Sequence, residues 1–217
     1  FLYYPTLIPH VALHVPDEEL KPYLKLKWND PPFTRSQGYG YTPHFTPRAA
    51  YAAMITRMDR YVGNLVNLIE RLGLTEDTIV IFTSDHGDMM CEHCRMNKGL
   101  PYRTSVGIPF VLRYPAKVPA GKVIHSAYTT VDFFPTLMGL MGIEDGLPEM
   151  HGLNASIAYT NKKKEIAKDR IVYVRHSGGA WVAAFDRRYK LVISTSDQPW
   201  LFDLEKDPDE LVNFYGR

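Results

Sequence analysis

The 217-residue sequence has only two cysteines, Cys91 and Cys94, too few for a disulfide scaffold, so its core has to be hydrophobic. An excess of one charge is also lacking. Twenty-five Lys and Arg against 24 Asp and Glu leave a net +1, and no global field points to nucleic acid or an acidic membrane as partner. Apolar runs such as Thr78–Phe82 and Ile108–Leu112 fall far short of the roughly 20 residues a membrane span needs. No internal repeat or low-complexity stretch is present. What is present is ordinary for a globular chain: 45% hydrophobic and 23% charged residues, with 14 Tyr, 10 Phe and 3 Trp. That composition excludes a disordered chain, a collagen-like repeat and a coiled coil.

Phe1-Leu2-Tyr3-Tyr4 reads as a buried strand, with a loop from Pro5 to Pro16. Opening in mid-strand without an initiator Met, charged n-region or cleavage site, the chain is expected to be part of something longer, whose address these residues do not carry. Residues 17–48 read as a long surface excursion with one short helix near Asp17–Leu24, and a loop of that length is a place to look for selectivity. Between Arg48 and Leu72, Tyr51, Met54, Met58, Tyr61, Val62, Leu65, Leu68 and Ile69 recur at spacings of three and four. The pattern predicts an amphipathic helix punctuated by Pro47 and Gly73.

Thr78–Thr83 is continuous and β-branched, which suits a strand buried on both faces of a parallel sheet. A second apolar run, Ile108–Tyr114, ends at Pro115, and Thr130–Gly142 reads as a helix capped by Thr130. After Gly152 come a charged loop at Asn161–Lys164 and three short runs, Ile171–Arg175, Ala180–Phe185 and Tyr189–Ser194. These predict an antiparallel meander. The rhythm is α/β, followed by a small antiparallel sheet with a helix.

The best chemical signal is Thr83-Ser84-Asp85-His86-Gly87-Asp88, directly after the predicted strand, where open α/β sheets bind ligands. A carboxylate beside an imidazole suits a divalent ion. On spacing alone, Asp85 as a loop cap and His86 as a polar surface residue is an equal alternative. Lys98, in Asn97-Lys98-Gly99, could neutralise an anionic group as a compact point charge, although most lysines are simply solvated. His10 follows the first run and is a candidate acid or ligand on the same terms. His86, Cys91, His93 and Cys94 could be read as a zinc cluster or Cys91–Cys94 as a disulfide. Four ligands within nine positions strain tetrahedral closure, and neither reading is favoured.

Taken together these motifs resemble the type I sulfatases, a branch of the alkaline-phosphatase-like superfamily. The likeness is carried by Thr83-Ser-Asp-His-Gly-Asp88, Asn97-Lys-Gly99, Ile108-Pro-Phe-Val-Leu-Arg-Tyr-Pro115 and Thr130-Val-Asp-Phe-Phe-Pro-Thr-Leu137. Tyr189-Lys-Leu191, Leu201-Phe-Asp-Leu-Glu-Lys-Asp-Pro208 and the opening Phe1…Pro9-His10 extend it over nearly the whole chain. The resemblance implies a sulfatase α/β catalytic portion over residues 1–152 and a small C-terminal antiparallel-sheet subdomain over 153–217.

It further implies hydrolysis of a small-molecule or carbohydrate sulfate ester. Asp85 and His86 match the family's second pair of metal ligands, Lys98 the lysine on the sulfate, and His10 the histidine at the leaving oxygen. The metal is calcium in most members. Members with His in place of Asn beside the Asp include manganese-using phosphonate and phosphate ester hydrolases, which is the alternative activity; a non-catalytic sulfatase-like module is a third. A periplasmic or extracellular location is what the family suggests.

The family's nucleophile is a formylglycine made in a C-x-P-x-R or S-x-P-x-R motif, and neither motif occurs in residues 1–217. The chain by itself is therefore expected to be inactive, to bind metal weakly and to self-associate through exposed apolar strands. Ala12 stands where Pro is common after Pro-His, and Gly107 replaces an Arg; both bear on substrate contacts rather than fold.

Overall fold

The computed structural model describes residues 1–34, 42–161, 164 and 169–217. Parts of the predicted excursion (35–41) and of the charged loop at Asn161–Lys164 lie outside the described residues. The described chain groups into two compact units: Phe1–Thr75 with Asp88–Lys98, and Glu76–Gly87 with Gly99–Arg217.

The first unit is built on α1 (Asp17–Leu24) and α2 (Pro47–Arg71). Ala49, Ala50, Ala53 and Met54 form the buried face of α2, and the small residues let Leu13, Leu20 and Met90 pack closely around Ala50 and Met54. Glu19 of α1 accepts hydrogen bonds from Arg57 and Arg60 of α2, and these two guanidinium groups hold its carboxyl well down, at about 2. The start of α2 is capped from a distance. Thr46 makes no side-chain cap, and the Asp30 carboxylate instead accepts the N–H groups of Arg48 (2.8 Å) and Ala49 (2.9 Å). A carboxylate on orphan N–H groups also favours the helix dipole. Asp30→Ala is expected to lower stability by about 1–2 kcal/mol in urea unfolding; a change below a few tenths would show that water replaces the cap fully.

At the other end of α2, Gly73 at φ +70° permits the reversal in which Leu74 N–H bonds to Ile69 C=O. Only the first turns of α2 are buried, and Leu68 and Leu72 on its later turns are exposed. Phe1–Tyr4 corrects the sequence expectation. It forms no strand among the described residues, and Phe1, Leu2, Tyr3 and Tyr4 are all exposed. Apolar character specifies what a segment could bury, but a strand exists only where another backbone completes its ladder.

In the second unit, β1 (Val80–Thr83) pairs with β2 (Phe110–Arg113). The register is antiparallel, Val80 opposite Arg113 and Thr83 opposite Phe110, where a parallel partner was expected. No β1 residue is fully buried. A continuous apolar run records two-sided burial in prospect and carries no information on strand direction. Between the two strands stands α3 (Arg103–Val106).

Phe110 packs against Phe133 (4.5 Å between centroids) and Tyr128 (5.2 Å), which seats α4 (Phe133–Met141) and α5 (Ser156–Thr160). The turn before α4 is capped one residue earlier than predicted: Thr129 and Asp132 form a capping box. The chain then forms β3 (Val172–Arg175), β4 (Trp181–Phe185), β5 (Tyr189–Ser194) and β6 (Trp200–Asp203), an antiparallel meander in sequential order. Ala183, Val192 and Phe202 form its buried face against Tyr102 and Leu204. Lys190 is buried there too, paired with the buried Glu210 and donating to Pro101 C=O. Burial holds its ammonium below the usual lysine range, although Glu210 opposes the shift.

Candidate active site

β1 ends at Thr83, and the chain turns at once through Ser84 into Asp85-His86-Gly87. Asp85 Oδ1 accepts the His86 N–H at 2.9 Å, which turns its other oxygen, Oδ2, to 3.5 Å from His86 Nε2. His86 Nδ1 lies 2.7 Å from Gly87 C=O. A carbonyl can only accept, so Nδ1 carries the proton and Nε2 presents its lone pair. A histidine whose other ring nitrogen donates to a carbonyl is the arrangement metal ligands adopt. Nε2 and Oδ2, 3.5 Å apart, are an imidazole nitrogen and a carboxylate oxygen that could both hold one divalent cation. The residues present therefore fit one side of a metal site.

Gly87 makes this turn sterically feasible. Its N–H donates to Ser105 C=O at 2.9 Å, and a Cβ there would sit 2.0 Å from Thr104 O. Among the described residues, no group of three or more His, Cys, Asp or Glu side chains gathers around one point. The zinc-cluster reading of Cys91, His93 and Cys94 finds no support, and the two cysteines are not joined. Cys91 instead packs its sulfur 3.5 Å from Met96 Sδ, and burial pushes its thiol pKa up.

His10 and Lys98 belong to the first unit. His10 is exposed, and its Nδ1 lies 2.6 Å from Val11 C=O, so here again Nδ1 carries the ring proton and Nε2 the lone pair. Lys98 is exposed at the end of a loop that sequence reading had not resolved. Asp88 Oδ1 accepts the N–H of Met90 (2.9 Å) and of Asn97 (3.3 Å), Met89 N–H reaches Asn97 C=O, and Asn97 Oδ1 accepts the Lys98 N–H at 2.8 Å. Asn97 stands at φ +79°, a conformation asparagine tolerates through such local bonding. Arg48 braces the same loop, donating to Met90 C=O and to Glu92. Val11, next to His10, and Met96, two residues before Lys98, both pack in the Phe33 cluster. One hydrophobic cluster thus anchors the segments that carry His10 and Lys98. Asp88, Asn97 and Arg48 were missed as organisers because the bonds they make span 1 to 44 residues without a periodic signature.

A carboxylate and an imidazole at the end of a strand are ligand types that suit a divalent metal. Residues 1–143 match the sulfatase family model, and residues 91–217 match the model of the C-terminal part of N-sulphoglucosamine sulphohydrolase. The chain belongs to the sulfatase family, with its alkaline-phosphatase-like fold.

An endo-4-O-sulfatase of Bacteroides thetaiotaomicron is 33% identical over 167 residues, covering 76% of this chain and 28% of that protein. A structure solved in complex with its substrate D-glucosamine-2-N,6-O-disulfate is similar with a TM-score of 0.71 and 27% identity, over 80% of this chain and 37% of that one. The phosphonate monoester hydrolase of Agrobacterium radiobacter is similar with a TM-score of 0.65 and 29% identity, over 76% and 36%. The chain spans 28% to 35% of the length of the curated relatives it matches.

Proposed function

We propose that the whole protein hydrolyses sulfate monoesters of carbohydrates, and that Asp85, His86, Lys98 and His10 contribute to that reaction from this chain. The observation that carries the reading is the Asp85–His86 pair at the end of β1, with Nε2 and Oδ2 3.5 Å apart and the histidine tautomer held by Gly87 C=O. Asp85 and His86 would hold a divalent metal, calcium by the family's habit or manganese by the presence of His86. When bound, such an ion polarises the ester oxygens and stabilises developing charge. Lys98 places its ammonium on the non-bridging oxygens, with the Asp88–Asn97 loop fixing its backbone. In its doubly protonated form His10 would pass the Nε2 proton to the leaving ester oxygen as the bond from sulfur to that oxygen breaks and the bond from sulfur to the nucleophile forms.

The nucleophile is a formylglycine in this family, and the motif that forms it does not occur in residues 1–217. Those residues alone are accordingly proposed to lack turnover and to hold metal weakly, because a partial ligand set forfeits most of the chelate affinity. We also propose residues 1–152 as the catalytic portion and 153–217 as its C-terminal subdomain. Exposed Phe1–Tyr4 supports self-association of residues 1–217, readable as molar mass by light scattering.

Phosphonate ester hydrolysis by the same residues is the second reading, favoured by His86 and by the likeness to a phosphonate monoester hydrolase. Rates of the whole protein on aryl sulfate and aryl phosphonate decide between them. Faster sulfate cleavage that falls about 100-fold or more in Lys98→Ala is the expected result. A clear preference for the phosphonate overturns the first reading, and turnover by residues 1–217 overturns the inactivity of this chain alone.

A further inference from the structure

Around the end of α1, within the first unit, an aromatic pair is held at the surface. The Tyr23 hydroxyl pairs with the Thr56 hydroxyl of α2, and Leu26 N–H returns to Tyr23 C=O at 3.1 Å. The Trp28 indole stacks on Tyr23, with ring centroids 6.2 Å apart and planes 14° from parallel. Directly after it, Asn29 C=O accepts Arg48 Nη1–H at 2.9 Å, and Asp30 caps α2. Trp28 is thus fixed from both sides and still 42% exposed. A rigidly held indole left in water is not explained by packing alone.

Three lysines flank this pair. Lys21, Lys25 and Lys27 are all exposed, and no acidic residue occurs from Lys21 to Asn29, in a chain whose net charge is +1. Carboxylates close in sequence are occupied or stand at the other end of α1. Glu19 is paired with Arg57 and Arg60, Asp30 holds the first N–H groups of α2, and Asp17 and Glu18 lie in the first turn of α1. Among the described residues none of the three lysines joins an ion pair. Lys21 and Lys25, four residues apart near the C-terminus of α1, suit the helix dipole. The dipole accounts for neither Lys27 nor the exposed Trp28.

We infer that Lys21–Asn29 is a binding surface for a sulfated polysaccharide, with Trp28 receiving a sugar ring and the three lysines its sulfate groups. The C–H face of a pyranose carries partial positive charge and stacks on the negative face of an indole. Ammonium groups on flexible stems meet sulfates without a fixed geometry, which suits sulfates spaced unevenly along a chain. The choice of a sulfated glycan over a nucleic acid rests on the sulfatase reading and on the balanced charge of the chain as a whole. None of these residues is among those proposed for catalysis. A polymer held here stays at high local concentration, so the effect falls on KM for long chains and spares small esters.

The test uses the whole protein, a Lys21→Gln, Lys25→Gln, Lys27→Gln triple variant, and Trp28→Ala. Heparin is the probe, unsulfated heparosan and single-stranded poly(dT) are the comparisons, and p-nitrophenyl sulfate turnover reports the active site. The Kd for heparin is expected to weaken about tenfold or more in the triple variant, as three exposed charge contacts are lost. Trp28→Ala is expected to weaken it about three- to tenfold. Aryl sulfate turnover is expected to stay within about twofold of wild type, since a small ester gains nothing from a second contact. Unchanged heparin affinity in the triple variant, whose exposed side chains leave the fold intact, overturns the inference. So does tighter binding of poly(dT), which assigns the surface to nucleic acid, or equal binding of heparosan. A wild type that cleaves aryl sulfate without binding heparin overturns it and leaves the sulfatase reading intact. Heparin binding through these residues by a protein inactive on aryl sulfate overturns that reading and keeps the surface.

Discussion

Asp132→Ala is expected to destabilise the protein by about 3–5 kcal/mol, the range for removing one partner of a buried ion pair. Asp132 is fully buried, and Arg170 meets it with two hydrogen bonds, Nη1 to Oδ2 at 2.6 Å and Nη2 to Oδ1 at 2.7 Å. The same carboxylate accepts the N–H of Thr129 and of Leu153, so one side chain ties the start of α4, the segment before α5 and the approach to β3. With alanine, two N–H groups lose their acceptor and a largely buried guanidinium loses its counter-charge.

Asp132→Asn, which keeps one acceptor oxygen, is expected to fall between alanine and wild type. An apolar pair, Asp132→Leu with Arg170→Met, is expected to recover part of the loss, since an unpaired charge costs more than an absent pair. Chemical denaturation of the three variants checks the order; Asp132→Ala within 1 kcal/mol of wild type would overturn the account.

The same pair sets an acid limit. Burial alone would raise the Asp132 carboxyl, but Arg170 and the two backbone donors outweigh it and hold it below the ordinary aspartate range. A depressed folded value means that the unfolded chain takes up the proton first. The contribution is therefore complete above about pH 4 and is lost as pH falls through the lower folded value. The stability gap between wild type and Asp132→Ala is expected to stay constant from pH 7 to about 5 and to narrow below about 4. A gap that widens with acid would contradict the sign.

Gly87→Ala is the second large effect, expected to remove at least about 100-fold of activity from the whole protein together with about 3 kcal/mol of stability, the upper end of overpacking costs. The added methyl would lie 2.0 Å from Thr104 O and 3.0 Å from Gly107 O, both backbone atoms that no rotamer change can move. Relief requires shifting Gly87 or the Thr104–Gly107 segment. A shift of Gly87 swings the carbonyl that fixes the His86 tautomer and parts Nε2 from Asp85 Oδ2. Small displacements of positioned groups are costly in rate.

Gly63 provides the control. It sits inside α2 with nothing within 4 Å of its would-be Cβ, so Gly63→Ala is expected to raise stability by about 0.5–1 kcal/mol with activity unchanged. Equal behaviour of the two variants would show that the close approach at Gly87 is relieved without effect on the site.

Much of this architecture was legible in the residues. The three-and-four spacing from Tyr51 onward marked α2, and the Pro47 and Gly73 punctuation held. Three of the four meander strands were recognisable from β-branched runs between turns, because those signals are local. Asp85 and His86 stood out for the same reason, as adjacent ligand types directly after a strand.

Other features depended on partners distant in sequence. Nothing in Val80–Thr83 states whether its neighbour runs parallel or antiparallel, since direction belongs to the pair. Nothing in Phe1–Tyr4 states that it lies exposed. Asp30 as the cap of α2, Arg170 as the counter-charge of Asp132, and Trp181 with His176 at Gly99 join residues 18 to 82 positions apart. By itself, then, the sequence determined which segments become helices and strands and which side chains can do chemistry, because helix period, turn residues and ligand type are written within a few positions. Tertiary structure alone decided strand direction, which carboxylate caps or pairs with what, and which atom of each histidine is left to act. Those depend on hydrogen-bond and charge partners that only folding brings within 3 Å.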